Sequence, residues 1–427
     1  MRRIAPSERV REEVGRLFAG GADREANLAS ELMKLGMRLL VQQGLEQEQA
    51  DFIGRDRYAR GDRNGWRNGY EPSRIRTGEG NVAVQVPQVR GASEPFHPKL
   101  LAFLAGNSEV LERLVVEMYA RGLSTRDVED CFRDSTGELV ISKTAVSEIT
   151  DRLWEDFQAF QTRSLADVDV EYLFVDAIYE SLRRYGAKEG VLAAWCITTQ
   201  GRKVLLHLAV GNKESEECWT EFFHSMISRG LRAPVTITAD GAPGLRNAIN
   251  ACFAKSLRIR CWFHKMGNIR AKLPDDAAEE FIAHCRAVRD AATPAQARSL
   301  VAEIVERYER EFPAAVACLL DDLEASLAHL RVPARHRRNV RTTNLAERSF
   351  EEERRRTKVI PRLLDERSAM KLVFAVLIRC SERWQRVAIN DIERGQLRAL
   401  RRELGLEPPP GGRGEEGSDV ELRRTVA

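Results

Sequence analysis

No stretch of this chain approaches the roughly 18 uncharged apolar residues needed to span a bilayer, so a transmembrane helix is excluded. Paired cysteines are also missing. The eight present are scattered singly, with no Cys-x-x-Cys, so neither a disulfide framework nor a zinc ribbon is expected and a reducing cytosol fits. The opening residues, Met1-Arg2-Arg3 through Arg9, meet charge at once and offer no apolar leader segment, so export is not expected. An excess of one charge is lacking too: 67 basic residues face 64 acidic ones, a net of +3. That balance alone does not point to nucleic acid.

What is there is a soluble-protein composition, 43% hydrophobic and 31% charged over 427 residues, enough for several domains with real cores. The charge is unevenly placed. Gly54 to Arg76 holds seven arginines against three acids, interleaved with Tyr58, Trp66 and Tyr70. Arg331 to Arg362 holds eleven basic residues against four acids. Such local basic segments suit a phosphate-binding protein, and equally a solvated surface.

Periodicity divides the chain. Residues 23–50 read as an amphipathic helix with Leu28, Leu32, Leu35 and Leu39 on one face. Two Asn-Gly pairs, Asn64-Gly65 and Asn68-Gly69, predict a turn-rich segment. Val82, Val84 and Val86 alternate as a short strand ended by Pro87, so residues 54–90 read as a basic, hairpin-bearing unit. Three short helices follow. Leu111, Leu114, Val115 and Met118 form the stripe of the first, and Ser124 with Asp127 caps the second. Ser142 caps the third, whose inner face is Val146, Ile149, Leu153, Phe157 and Phe160. As a helix-turn-helix the trio would offer Lys143, Thr144 and Ser147 to a major groove; as a plain bundle it would not.

From residue 171 strands take over. Tyr172–Tyr179, Val191–Thr198, Lys203–Val210 and Pro234–Ala239 read as strands, with a helix carrying Cys218, Trp219, Phe222, Phe223, Met226 and Ile227 before the last. This describes a mixed sheet covered by helices. Residues 270–335 read as helical. Another helix starts near Thr342–Asn344, then a long one from Asp365 to Arg402 and a disordered tail after Gly405.

Two carboxylates stand in this apolar pattern: Asp176 within a strand and Asp240 at the end of another. A carboxylate among buried side chains is costly unless paired, capped or metal-bound. Two on separate strands of one sheet suggest a shared divalent site, while Asp240 before Gly241 also suits a helix cap. Cys261 and His264 offer only two zinc ligands with no second pair nearby, so a zinc site is not expected. Trp219 and Trp262 suit core packing better than base stacking.

The ordered words Phe174-Val175-Asp176-Ala177, Gly211-Asn212-Lys213-Glu214-Ser215, Asp240-Gly241-Ala242-Pro243-Gly244, Cys261-Trp262-Phe263-His264 and Thr342-Thr343-Asn344-Leu345-Ala346-Glu347 carry a family resemblance. Trp66-Arg67-Asn68-Gly69-Tyr70 and Arg121-Gly122-Leu123-Ser124 fit upstream. From about residue 20 to 400 the chain resembles the Mutator-type transposases of bacterial insertion sequences, within the DDE group. One word departs: Ile360-Pro361-Arg362-Leu363 stands where many relatives have Gly-x-Phe-Pro.

The resemblance implies an α/β catalytic domain of ribonuclease H-like fold, a mixed sheet flanked by helices, with an all-α insertion and preceded by mainly helical DNA-binding domains. The implied segments are 1–53 (helical), 54–95 (basic hairpin), 96–165 (helix-turn-helix-like), 170–270 and 341–404 (catalytic core), 271–340 (insertion) and 405–427 (tail). Asp176, Asp240 and Glu347 would be the catalytic, metal-holding triad, with Glu351 one turn on as the alternative. Two Mg²⁺ or Mn²⁺ ions per site would serve DNA cleavage and joining. Arg63, Arg67, Lys143, Thr144, Ser147 and Arg354-Arg355-Arg356 would contact DNA, the last three having helix-surface pairing with Glu351–Glu353 as their other role. Cys261, His264 and Asn344 would adjoin the site. Partners would be double-stranded DNA, both transposon ends and target, and a second copy or higher assembly, with no membrane, in a bacterial cytoplasm at the nucleoid. A domesticated, inactive DNA-binding derivative is the alternative.

Overall fold

The computed structural model describes residues 4–19, 28–55, 64–77, 80–104, 109–132, 139–180, 189–211, 215–357 and 366–406. Arg63, residues 212–214, the 358–365 stretch with its departing word, and the tail from 407 lie outside them. The chain forms two compact units, Met1–Asp151 and Arg152–Ala427.

The first unit opens with helices α1 (Pro6–Ala19) and α2 (Leu28–Ile53), then strands β1 (Trp66–Thr77) and β2 (Gly80–Arg90). The strands pair antiparallel, and Val82, Val84 and Val86 are buried as their alternation predicts. The expected leucine face of α2 is not its core face: Leu32 is exposed, and burial falls instead on Val41, Leu45 and Ile53, which face the hairpin and α3 (Lys99–Leu104). Gln42 completes this contact by exchanging hydrogen bonds with the Gln85 backbone.

Two local predictions need correction. Asn68-Gly69 is not a turn between elements; Gly69, at φ +83°, sits in a register shift between Arg67 and Tyr70 inside β1. Nor does Pro87 end β2, which runs on to Arg90 with Pro87 opposite Tyr70. In a two-stranded ribbon each strand has an open edge, where a missing N–H costs no ladder bond.

The helical trio is α4 (Glu109–Ala120), α5 (Thr125–Cys131) and α6 (Lys143–Thr162). Ser124 and Asp127 form the full capping box, and Ser142 Oγ accepts the Ala145 N–H. Leu111, Val115, Val128, Val146 and Ile149 build the core, although Leu114 points to solvent. The second half of α6 belongs to the other unit, where Phe157 and Phe160 lie against the Phe374 ring.

The second unit is built on a five-stranded mixed sheet, ordered β5-β4-β3-β6-β7. Its strands are β3 (Val170–Glu180), β4 (Glu189–Thr198), β5 (Lys203–Gly211), β6 (Thr236–Ala239) and β7 (Leu257–Arg260). The first three pair antiparallel, whereas β6 and β7 run parallel to β3. β7 was not legible in the sequence, because Leu257-Arg258-Ile259-Arg260 is four residues long and half charged. Helices α7 (Glu216–Ser228) and α8 (Pro243–Cys252) cover one face, burying Trp219, Phe222, Phe223, Leu245 and Ile249 against Leu173, Val175 and Ile237. Ile227, expected inside, is 37% exposed because it lies on the outer side of α7.

Next come α9 (Trp262–Arg270), α10 (Asp275–Arg289), α11 (Pro294–Tyr308), α12 (Pro313–Leu320), α13 (Leu323–Leu327), a short 3₁₀ turn and α14 (Arg337–Val340). They share one core around Phe281, Cys285, Val301, Ile304 and Leu319, with Trp262 among its members. Then follow α15 (Asn344–Thr357), α16 (Glu366–Arg383) and α17 (Asp391–Glu403). The long helix predicted from Asp365 to Arg402 is therefore two, divided before a capping box in which Asn390 and Glu393 exchange side-chain bonds. Among the described residues no helix is long and apolar enough to cross a membrane.

Candidate active site

The parallel pairing of β3 with β6 sets Phe174 opposite Thr238. Two residues further along each strand stand Asp176 and Asp240, so both carboxylates leave neighbouring strands at the same end. Asp240 Oδ1 accepts the Ala242 N–H at 3.0 Å, a tight turn ahead of α8 and not the helix cap the sequence allowed, since Ala242 is itself the N-cap and no side chain caps the helix; Asp176 Oδ1 accepts the Ala177 N–H.

The third carboxylate arrives on α15. Glu347 sits in its first turn, half-buried, while Glu351 one turn on is exposed. The backbone leading into that helix is tied to the sheet: Thr238 Oγ1 donates to the Val340 carbonyl at 2.6 Å, and the Trp262 N–H donates to the Arg341 carbonyl. Thr343, fully buried, then donates its hydroxyl to Glu347 Oε1 at 2.7 Å and its N–H to Cys261 Sγ at 3.4 Å.

On the far side His264 Nε2 lies 3.9 Å from the same Glu347 oxygen. Ligand atoms of Cys261, His264 and Glu347 all fall within 4.8 Å of one another. The sequence offered only the first two; the third ligand comes from a helix far along the chain, which spacing does not reveal.

The electrostatics follow from this crowding. Burial pushes the Asp176 carboxyl up to about 7, with Glu347 and Asp240 pushing the same way and His264 and the Ala177 N–H opposing. The His264 imidazole is pushed up to about 9, chiefly by the Cys261 sulfur and further by Asp176 and Glu347, against its burial. No hydrogen-bond geometry is met with that sulfur, and Nδ1 is buried without a partner. His264 thus stands beside carboxylates that favour its protonated form, against its burial.

The remaining predicted residues are spread more widely. Asn344 is exposed at the start of α15. Arg355 and Arg356 pair with Glu352 one turn back, at 2.5 and 2.7 Å, which is the surface-pairing role; Arg354 is exposed. Lys143, Thr144 and Ser147 are all exposed at the start of α6. Arg67 donates to the Arg55 carbonyl at 2.9 Å, and Arg63 lies outside the described residues. Trp219 and Trp262 are core residues, 1% and 0% exposed, and Trp262 Nε1 donates to the Ser326 carbonyl. Sequence reasoning missed Thr343, whose only signal was its position before the glutamate helix.

Comparison with known proteins places this arrangement in a lineage. The chain is 32% identical over 353 residues to the transposase for insertion sequence element IS406 of Burkholderia multivorans, covering 82% of this chain and 90% of that one. It is 28% identical over 368 residues to the transposase for IS256 in transposon Tn4001 of Staphylococcus aureus, covering 84% and 93%. To the transposase for IS1081 of Mycobacterium tuberculosis it is 30% identical over 329 residues, covering 76% and 78%. The profile of the Mutator family of transposases matches residues 10–387, so the chain belongs to that family.

Proposed function

We propose that this transposase binds the terminal inverted repeats of its element through residues 1–165 and cuts and joins DNA strands at Asp176, Asp240 and Glu347. What supports the reading is the convergence of three carboxylates from β3, the end of β6 and α15 beside His264. The strand order, three antiparallel strands and then two parallel ones beyond β3, supports a ribonuclease H-like fold for this unit.

The donor set fits a hard divalent cation. Oxygen ligands suit Mg²⁺ or Mn²⁺, and a carboxyl pushed up to about 7 by burial beside two others is one that a cation would relieve. Asp176, Asp240 and Glu347 would hold the metal. Two ions, when bound, would raise the acidity of the attacking hydroxyl and offset charge on the leaving oxygen. The protein's own part is positioning. Thr343 and His264 orient Glu347, and the Ala242 N–H orients Asp240. In the first reaction water oxygen bonds to phosphorus and the P–O3′ bond breaks, leaving a 3′-hydroxyl. In the second that hydroxyl attacks a target phosphodiester and expels a target 3′-hydroxyl, so the number of phosphodiester bonds is conserved. Joining two ends calls for at least a dimer on DNA.

The test is cleavage and strand transfer of a labelled element-end duplex with Mg²⁺, comparing wild type with Asp176→Ala, Asp240→Ala and Glu347→Ala. Wild type alone should react, while all four bind the end. Binding without reaction in every sample would instead identify an inactive DNA-binding derivative. Loss of activity in Glu351→Ala but not in Glu347→Ala would move the third carboxylate.

A further inference from the structure

One buried positive charge near Asp240 makes no hydrogen bond and no ion pair among the described residues, and the anion it feels is Asp322. Arg260 ends β7 opposite Ala239, and its side chain is 6% exposed. Its Nε is buried without an acceptor, and among the described residues the guanidinium makes no hydrogen bond and no ion pair. The nearby anion is already committed, because Arg258 takes both oxygens of Asp322. Lys265 is likewise satisfied, by the Asp321 carbonyl. A cation taken out of water without compensation costs several kcal/mol, so a buried, unpaired Arg calls for an anion.

The guanidinium's place says which anion. A Cβ on Gly241 would fall 0.3 Å from Arg260 Nη1 and 1.6 Å from Cζ. The guanidinium therefore fills the space a side chain would take, one residue after Asp240 and at the start of α8. That helix begins on Ala242 with no side-chain cap, so its first turn presents N–H groups and the positive end of the helix dipole. A planar fork beside an uncapped helix start matches a phosphate. Since Asp240 lies next to it, the phosphate belongs to the strand that the carboxylates engage.

We infer that Arg260, Gly241 and the first turn of α8 form a notch for one backbone phosphate of the reacting DNA strand, adjacent to the scissile phosphate. The inference rests on the proposed function. Gly241 is glycine here because any side chain would evict the guanidinium. Arg260 positions DNA; it takes no part in bond making.

The experiment measures binding of the full chain to an element-end duplex as salt is raised. It is repeated with duplexes carrying a single uncharged methylphosphonate at each position near the cut. Wild type should lose about ten- to hundredfold in affinity at one such position, the magnitude of a charge-assisted hydrogen bond. Arg260→Gln should lower the slope of log affinity against log salt by about one and abolish the sensitivity at that position alone. Gly241→Ala, which keeps the charge but displaces it, should abolish the same sensitivity. Should Arg260→Gln not fold, Arg260→Lys is read on the methylphosphonate profile alone: it keeps the charge, so the salt slope stays, but it loses the fork and should weaken the sensitivity at that position. An unchanged slope and an unchanged methylphosphonate profile would overturn the inference, leaving Arg260 as a structural counter-charge to Asp322. A wild type that neither binds nor cuts the end duplex would instead overturn the proposed function.

Discussion

Thr343 Oγ1 donates to Glu347 Oε1 at 2.7 Å while its backbone N–H reaches Cys261 Sγ, 82 positions away in sequence. A single buried residue thus ties the glutamate helix to Cys261, the N-cap of the α9 helix that carries His264. Thr343→Val keeps the shape and the backbone contact and removes the hydroxyl bond to Glu347. A neutral-to-charged hydrogen bond of about 1.5 kcal/mol corresponds to roughly a tenfold slower single-turnover cleavage. End binding should stay at the wild-type level, and Thr343→Ser should restore the rate. Equal rates for Thr343→Val and wild type would show that Glu347 is held by other means.

The metal-free fold should weaken on the alkaline side. Asp176 titrates near 7 in the fold against 3.8 for a free carboxyl, so the folded state binds more protons between those values. Its contribution is complete below pH 3.8 and is lost as pH rises through 7. His264, at about 9 against 6.5, acts in the same sense: its stabilising charge is complete below 6.5 and fades through 9. For Asp176 the three-unit shift bounds the effect at about 4 kcal/mol, and solvent reaching the half-buried side chain reduces it. Asp176→Asn should therefore melt higher than wild type at pH 8 without metal, with the gap closing toward pH 4, and be inactive. Mg²⁺ should raise the wild-type Tm at pH 8 and leave that of Asp176→Asn nearly unmoved. Identical melting of the two proteins across the pH range would refute a destabilising carboxylate.

Lys143 and Thr144 are exposed in the first turn of α6, while Ala145 and Val146 behind them are buried. The Lys143 N–H is held by Glu129 Oε1 at 2.7 Å, so truncating the side chains leaves the helix start intact. Replacing both by Ala should weaken end binding about ten- to hundredfold, the value of one or two groove contacts. Tm and metal-dependent nicking of non-specific DNA should not change. Unaltered end binding would refute a groove-reading role for this helix.

Local signals carried much of this protein. Apolar runs placed β3, β4 and β5, the Ser124–Asp127 spacing placed a capping box, and the stripe from Val146 to Phe160 was buried as written. These features depend on neighbours within a few residues, and a sequence displays such neighbours directly. Asp176 and Asp240 were visible for a related reason: a carboxylate in an apolar strand breaks a pattern. The amphipathic face of α2 failed because the apolar core of that helix forms around Val41 and Leu45, against a hairpin and a helix folded from later residues. Where Asp365 to Arg402 breaks depended on the Asn390 cap competing with good helix formers on both sides.

Composition and motif order alone determined the family, the mixed sheet and the two strand aspartates. Only the tertiary structure decided that Glu347 meets His264, that Thr343 holds Glu347, and that the Arg260 guanidinium occupies the space a side chain on Gly241 would take. The first and last of those are contacts between elements far apart in sequence. Such contacts are set by parallel strand register and by helices returning from the insertion, and neither leaves a periodic trace in the chain.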